Sequence, residues 1–142
     1  YDDVTTVEPD MIILQLSADS ELALRTEGTA QYFEQFVPGD IAISSITVAE
    51  LQYGVEKSAA SEKNALALEA FLLPLEIASF DTESAFVYGK IRSELERQGK
   101  PIGSMDMLIA AQAIAQDFTL ITHNLKEFDR VPGLRCETWV NS

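Results

Sequence analysis

The sequence predicts an α/β fold, a mainly parallel central sheet covered by helices on both sides. Short apolar runs of strand length alternate with longer stretches of helical pattern. The runs are apolar at nearly every position, which is how strands buried on both faces read. No repeat, low-complexity tract or linker interrupts the alternation, and 142 residues at 46% hydrophobic content fit one compact domain, 1–142.

MIILQL (11–16) is the first strand. A polar, helix-compatible stretch, SELALRTEGTAQYFEQF (20–36), follows, interrupted at Gly28 and closed by Pro38, Gly39 and Asp40. IAISSI (41–46) is the second strand, after which Thr47 begins the segment TVAELQYGVEK. SEKNALALEAFLL (61–73) is an amphipathic helix that stops at Pro74. LEIASF (75–80) is the third strand, and Asp81 is a good N-cap for TESAFVYGKIRSELERQ (82–98). In that helix Val87, Ile91 and Leu95 form an i, i+4, i+8 stripe, and Gly99 stands where a C-terminal glycine belongs. Pro101 and Gly103 make a turn, Ser104 caps MDMLIAAQAIAQ, FTLIT (118–122) is a buried strand, and LRCETW (134–139) is a final edge strand. Residues 1–10, YDDVTTVEPD, are expected to be disordered or foreign to the domain; they are acidic where a secretory signal is basic. With no apolar run near bilayer length, a cytoplasmic protein without membrane contact is expected.

The formal charge of −13 is unevenly spread. Residues 1–89 hold 16 acids against three bases, whereas residues 90–142 hold seven of each. This opposes tight non-specific nucleic-acid binding, which depends on Lys and Arg displacing counterions. The excess acid has two readings, solubility or a negative pocket that takes a divalent cation. One Cys (Cys136) and one His (His123) are too few for a thiolate–imidazole zinc site, so any metal must be held by oxygen.

In open parallel sheets ligands bind outside the carboxyl ends of the strands, near the first turns of the following helices. Glu50 after IAISSI, Asp106 at the start of MDMLIAAQA, His123-Asn124 after FTLIT, and Gln15, Ser17 and Asp19 after MIILQL all qualify. Each also has a plain structural reading. Thr47-Val48-Ala49-Glu50 has capping-box spacing; Asp106 suits a helix dipole; Asn124 and Asp19 suit turns or caps. Against the plain reading, Met105, Met107, Leu108 and Ile109 leave Asp106 little polar surface. If Glu50 and Asp106 approach each other, protonation or a cation must relieve them, and hard oxygen ligands suit Mg²⁺ or Mn²⁺.

The segments IAISSITVAELQYGVEKS and IRSELERQGKPIGSMDMLIAAQAIAQDFTLITHNLKEFDRVPGLRCETW, with the spacing between them, resemble the PIN-domain ribonucleases, specifically the VapC toxins of bacterial toxin–antitoxin pairs. The likeness covers roughly residues 41–140. It implies a PIN-like fold and a Mg²⁺- or Mn²⁺-dependent endoribonuclease, usually a homodimer, acting on RNA and neutralised by a cognate antitoxin. Glu50 matches the acid of the AEL motif, Asp106 the acid after the P-x-G turn, and Asn124 the Asp or Asn after the fourth core strand. The resemblance gives all three a place in metal coordination, directly or through water. It matches Thr122 to a small hydroxyl position beside the site, and Met105, Met107 and Leu108 would bury the helix beneath Asp106.

The first forty residues depart from the family. Its opening strand ends in a Leu-Asp-Thr-Asn type motif whose Asp is the central metal ligand, and aligning MIILQL with it puts Gln15 in the Asp place. Asp19 is the nearest carboxylate that can replace it as a ligand. Two other classes stay open: a catalytically impaired PIN-like module kept for antitoxin or partner binding, and a receiver-type phosphoacceptor. The second is disfavoured because its acceptor Asp ends an apolar strand, whereas Asp106 opens a helix after a turn. Lys126 and Arg130 are the expected RNA-backbone contacts, with surface solvation as the alternative.

Overall fold

The computed structural model describes residues 11–15 and 40–138. The expected helix over 20–36, the acid Asp19 and the leader 1–10 lie outside the described residues.

Ten elements follow in chain order: β1 Ile12–Leu14, β2 Ile41–Ser44, α1 Ser45–Lys57, α2 Ser61–Leu72, β3 Glu76–Ala78, α3 Thr82–Arg97, α4 Ser104–Ala115, β4 Thr119–Ile121, α5 Leu125–Phe128 and β5 Cys136–Glu137. The strands form one sheet in the order β3-β2-β1-β4-β5, and every pairing is parallel. The sheet is therefore fully parallel among the described residues, and β5 is an edge strand as expected. The order reverses between β1 and β4, where Ile12, Ile13 and Leu14 stand opposite Thr119, Leu120 and Ile121.

Strand alternation builds two cores. Ile13, Ala42 and Leu120 face one side, where α3 and α4 cover them with Ile91, Leu95, Met107, Ile109, Ala110 and Ala113. Ile12, Leu14, Ile41, Ile43 and Ile121 face the other, beneath Leu51 and Val55 of α1 and Leu68 and Phe71 of α2. Successive residues of one strand thus enter opposite cores, which explains runs apolar at every position.

Helix α3 starts on Asp81, whose carboxylate accepts from Ser84 N–H at 2.9 Å. It ends in a Schellman turn: Gly99 N–H donates to Glu96 O, Lys100 N–H donates to Leu95 O, and Gly99 has φ +71°. Two other helix starts differ from expectation. The strand IAISSI stops at Ser44, and α1 begins at Ser45, because Ser44 Oγ takes the Ile46 N–H at 2.9 Å and caps the helix. Thr47 is then inside the first turn and wholly buried, so Thr47 and Glu50 do not form a capping box. Likewise Ser104 is the first residue of α4 and Gly103 its N-cap, with no side-chain cap bond.

The same Ser44 hydroxyl donates to Gln112 Oε1 at 2.6 Å, while Gln112 Nε2 donates to the Ala78 carbonyl at 2.9 Å and the Ser79 carbonyl at 3.2 Å. One wholly buried amide of α4 thereby ties together the N-cap of α1 and the ends of β2 and β3. Gln112→Leu keeps most of the volume and removes the acceptor of the Ser44 hydroxyl and the side-chain donor to the Ala78 carbonyl, while Gln116 still donates to Ser79 O at 3.0 Å. It is expected to lower unfolding stability by about 1–3 kcal/mol, read as a shift in the urea midpoint; an unchanged midpoint would mean that the latch contributes nothing.

Candidate active site

The carboxyl ends of β1 and β4 open into a cleft of about 530 Å³ lined by Gln15, Glu50, Gly103, Ser104, Met105, Asp106, His123 and Asn124. It stands at the switch point of the strand order, where ligands of open parallel sheets bind. Sequence-predicted residues from four separate segments thus meet in one place. Ordinary turn or cap roles do not explain that convergence.

Glu50 reaches the cleft from the second turn of α1, beside the stripe Thr47, Leu51 and Val55 that anchors the helix on the sheet. Partial burial raises its pKa. Asp106 enters from the first turn of α4, held from behind by buried Met107. Met105 was expected to help bury this helix, but it is 43% exposed at the cleft rim. Successive side chains at the start of a helix point 100° apart, so Met105 and Met107 cannot share one face.

Asp106 is pushed from the ordinary 3.8 to about 7, first by burial, then by a hydrogen bond and charge repulsion from Glu127, and then by the charge of Glu50. Glu127 is the residue that sequence reasoning missed. Asn124 Nδ2 donates to Glu127 Oε1 at 2.8 Å and Gly103 N–H donates to Glu127 Oε2 at 3.3 Å, which aims the carboxylate at Asp106. The signal was its place three residues after Asn124 and next to Phe128, which is fully buried and pins the short helix α5. Asn124 therefore lines the cleft and also orients Glu127.

Gln15 lies at the end of β1, with its N–H donating to Ile121 O at 2.9 Å. Thr122 Oγ1 donates to Gln15 Oε1 at 2.6 Å and accepts Asn124 N–H at 3.0 Å. Lys126 and Arg130 do not line the cleft; Arg130 Nη1 donates to Pro101 O at 3.1 Å and braces the turn before α4.

The donor set is oxygen-rich and suits a hard cation. Among the described residues no three His, Cys, Asp or Glu side chains form a closed metal-holding group. The tight unit is Asp106 with Glu127, and Glu50 contributes through its field. That fits an ion that keeps several waters and takes one or two carboxylates, rather than a full protein cage.

An α/β domain with a parallel sheet and an acidic cleft at its switch point has the architecture of a domain that binds its ligand at the strand ends. The sequence model of the PIN domain matches residues 17–134, and the chain belongs to that family. It is 54% identical over 99 residues to ribonuclease VapC2 of Rickettsia felis, covering 70% of this chain and 74% of that protein. It is 46% identical over 99 residues to the tRNA(fMet)-specific endonuclease VapC of Salmonella typhimurium, covering 70% and 75%. Among solved structures, DNA-bound VapBC from Salmonella typhimurium superposes with a TM-score of 0.84 at 36% identity, over 92% of this chain and 100% of that one. VapBC2 from Rickettsia felis, bound to a promoter DNA fragment, gives 0.82 at 42% identity, over 91% and 100%. The chain is a nuclease of the hydrolase class. No helix of the described residues is long and apolar enough to cross a membrane.

The raised Asp106 pKa has a direct consequence for stability. Between pH 4 and about 7 the folded protein keeps a proton that the unfolded chain has lost, so without a divalent cation stability falls as pH rises through that window. Asp106→Asn should flatten this segment of the curve. A thermal melt series from pH 4 to 8 checks it, and identical slopes in both proteins would refute the assignment.

Proposed function

We propose that this protein is a Mg²⁺- or Mn²⁺-dependent endoribonuclease, the toxin of a type II toxin–antitoxin pair, which hydrolyses RNA phosphodiester bonds until its cognate antitoxin binds. The observation that carries the reading is the meeting of Glu50 and Asp106 in one cleft at the end of the parallel sheet, with Glu127 acting on Asp106 from beside it. The named activities of the relatives from Rickettsia felis and Salmonella typhimurium support the substrate class.

Asp106 and Glu127 would hold the cation, with Glu50 facing it through water, and Asn124 and Gly103 N–H fix the direction of Glu127. When bound, the ion supplies a Lewis acid toward a phosphoryl oxygen and lowers the pKa of water beside it, so neither a Cys nor a Ser nucleophile is needed. Ionised Asp106 is required to hold the ion, so affinity and cleavage should rise with pH up to about 7. Lys126, next to the Asn124 turn, and Arg130 would guide the RNA backbone toward the cleft from outside its lining. Leu66 of α2, Leu73 at its C-cap and Phe86 of α3 are exposed apolar side chains that suit a homodimer contact or an antitoxin segment.

A second reading is favoured by Gln15, a neutral residue in the cleft: a PIN-like module of weakened catalysis retained for partner binding. The two separate experimentally. For the nuclease, Asp106→Asn and Glu50→Gln should each lower cleavage of a mixed RNA substrate by about 100-fold or more with the fold intact, and EDTA should abolish it. Cleavage that persists in excess EDTA, or in Asp106→Asn, would refute the metal-dependent mechanism. Absence of cleavage by the wild type at saturating Mn²⁺ would establish the partner-binding reading.

A further inference from the structure

Gln15 is nine-tenths buried at the end of the central strand and lines the acidic cleft. Which end of its amide faces the cleft is set by Thr122. Asn124 N–H occupies a lone pair of Thr122 Oγ1 at 3.0 Å, and the single hydroxyl hydrogen goes to Gln15 Oε1 at 2.6 Å. Turning the amide over would place an N–H group against Thr122 Oγ1 and take the acceptor from a hydroxyl hydrogen that is wholly buried. The carbonyl oxygen therefore faces Thr122 and gives it one of its two lone pairs, which leaves the amino group as the end available to a ligand in the cleft.

A cation ligand must offer a lone pair, and an amide N–H₂ has none to give. What it offers is a hydrogen-bond donor in a cleft whose lining includes Glu50 and Asp106 and, among the described residues, neither Lys nor Arg. A phosphodiester brought there meets negative charge on several sides. A neutral donor on β1 takes one of its non-bridging oxygens without adding charge, as glutamine side chains do at nucleic-acid backbones.

We propose that Gln15 binds a phosphate oxygen of the RNA through its amide N–H₂, clamped in that orientation by Thr122, and is not a ligand of the cation. The proposal rests on the ribonuclease reading for its ligand, whereas its statement about the cation does not.

The test uses the full chain with Gln15→Leu, Gln15→Glu and Thr122→Val, each checked for a native circular-dichroism spectrum and melt. Mn²⁺ affinity is read by calorimetry, and affinity for an RNA oligonucleotide made uncleavable by 2′-fluoro substitution is read by fluorescence anisotropy with Mn²⁺ present. Gln15→Leu should leave Mn²⁺ affinity within about twofold and weaken RNA binding about fivefold or more. Gln15→Glu, which can accept from Thr122 and still present a second oxygen, should tighten Mn²⁺ binding about tenfold. Thr122→Val, nearly isosteric, should weaken RNA binding without weakening Mn²⁺ binding, and it decides the matter if Gln15→Leu does not fold. Loss of Mn²⁺ affinity by about tenfold in Gln15→Leu or Thr122→Val would make the carbonyl a metal ligand and overturn the proposal. Unchanged RNA affinity in both variants would overturn it as well. Failure of the ribonuclease reading itself shows elsewhere, as cleavage that survives EDTA or Asp106→Asn.

Discussion

Two carboxylates cannot share a hydrogen bond while both are ionised. Asp106 and Glu127 are nonetheless held near enough for Glu127 to push the Asp106 pKa up, one by the first turn of α4 and the other by Asn124 and the Gly103 N–H. Burial adds to the cost, and Glu50 extends the negative field from the opposite helix. A proton at low pH or a divalent cation near neutrality resolves the conflict. The rest of the molecule serves to keep these groups from relaxing apart.

It does so through the sheet. Fully parallel strands with a core on each face leave their carboxyl ends as one edge, and the reversal of order between β1 and β4 opens a crevice there. Glu50 is carried on a helix capped by Ser44, and Ser44 is bonded to Gln112 of the helix that carries Asp106. The two acid-bearing helices are thus joined by one buried hydrogen bond as well as by packing. Phe128 anchors the turn that presents Asn124 and Glu127. Each acid therefore has its own fixed support, and the cleft is organised before any ligand arrives.

Much of this was legible in the sequence. Strands buried on both faces announce themselves as unbroken apolar runs, and Asp81 and Gly99 mark the ends of α3 by rules that depend only on neighbouring backbone groups. Glu50, Asp106 and Asn124 were legible because strand ends in parallel sheets are where side chains converge. The errors have identifiable physical causes, most of them tertiary. Ser44, Ser45 and Thr47 are all competent caps, and burial of Thr47 against the sheet, a tertiary effect, selected Ser44. Ser104 was read as a cap, yet the turn places Gly103 there. Glu127 sits in LKEF, which reads as a solvated helical turn; only the fold shows that its carboxylate turns back onto Asp106. The orientation of Gln15 depends on Thr122, more than a hundred residues away, and no local pattern encodes it.

The most direct measurement is the Mn²⁺ binding isotherm of wild-type protein and Glu127→Gln at pH 7.5. Glu127 lies outside the acids marked by sequence and keeps its hydrogen bonds to Asn124 and Gly103 only in part as an amide. If the Asp106–Glu127 pair is the cation site, binding should weaken by about tenfold or more, and the melt of the ion-free protein should rise because the repulsion on Asp106 is gone. Equal Mn²⁺ affinity in the two proteins, with no gain in the ion-free melt, would contradict the account.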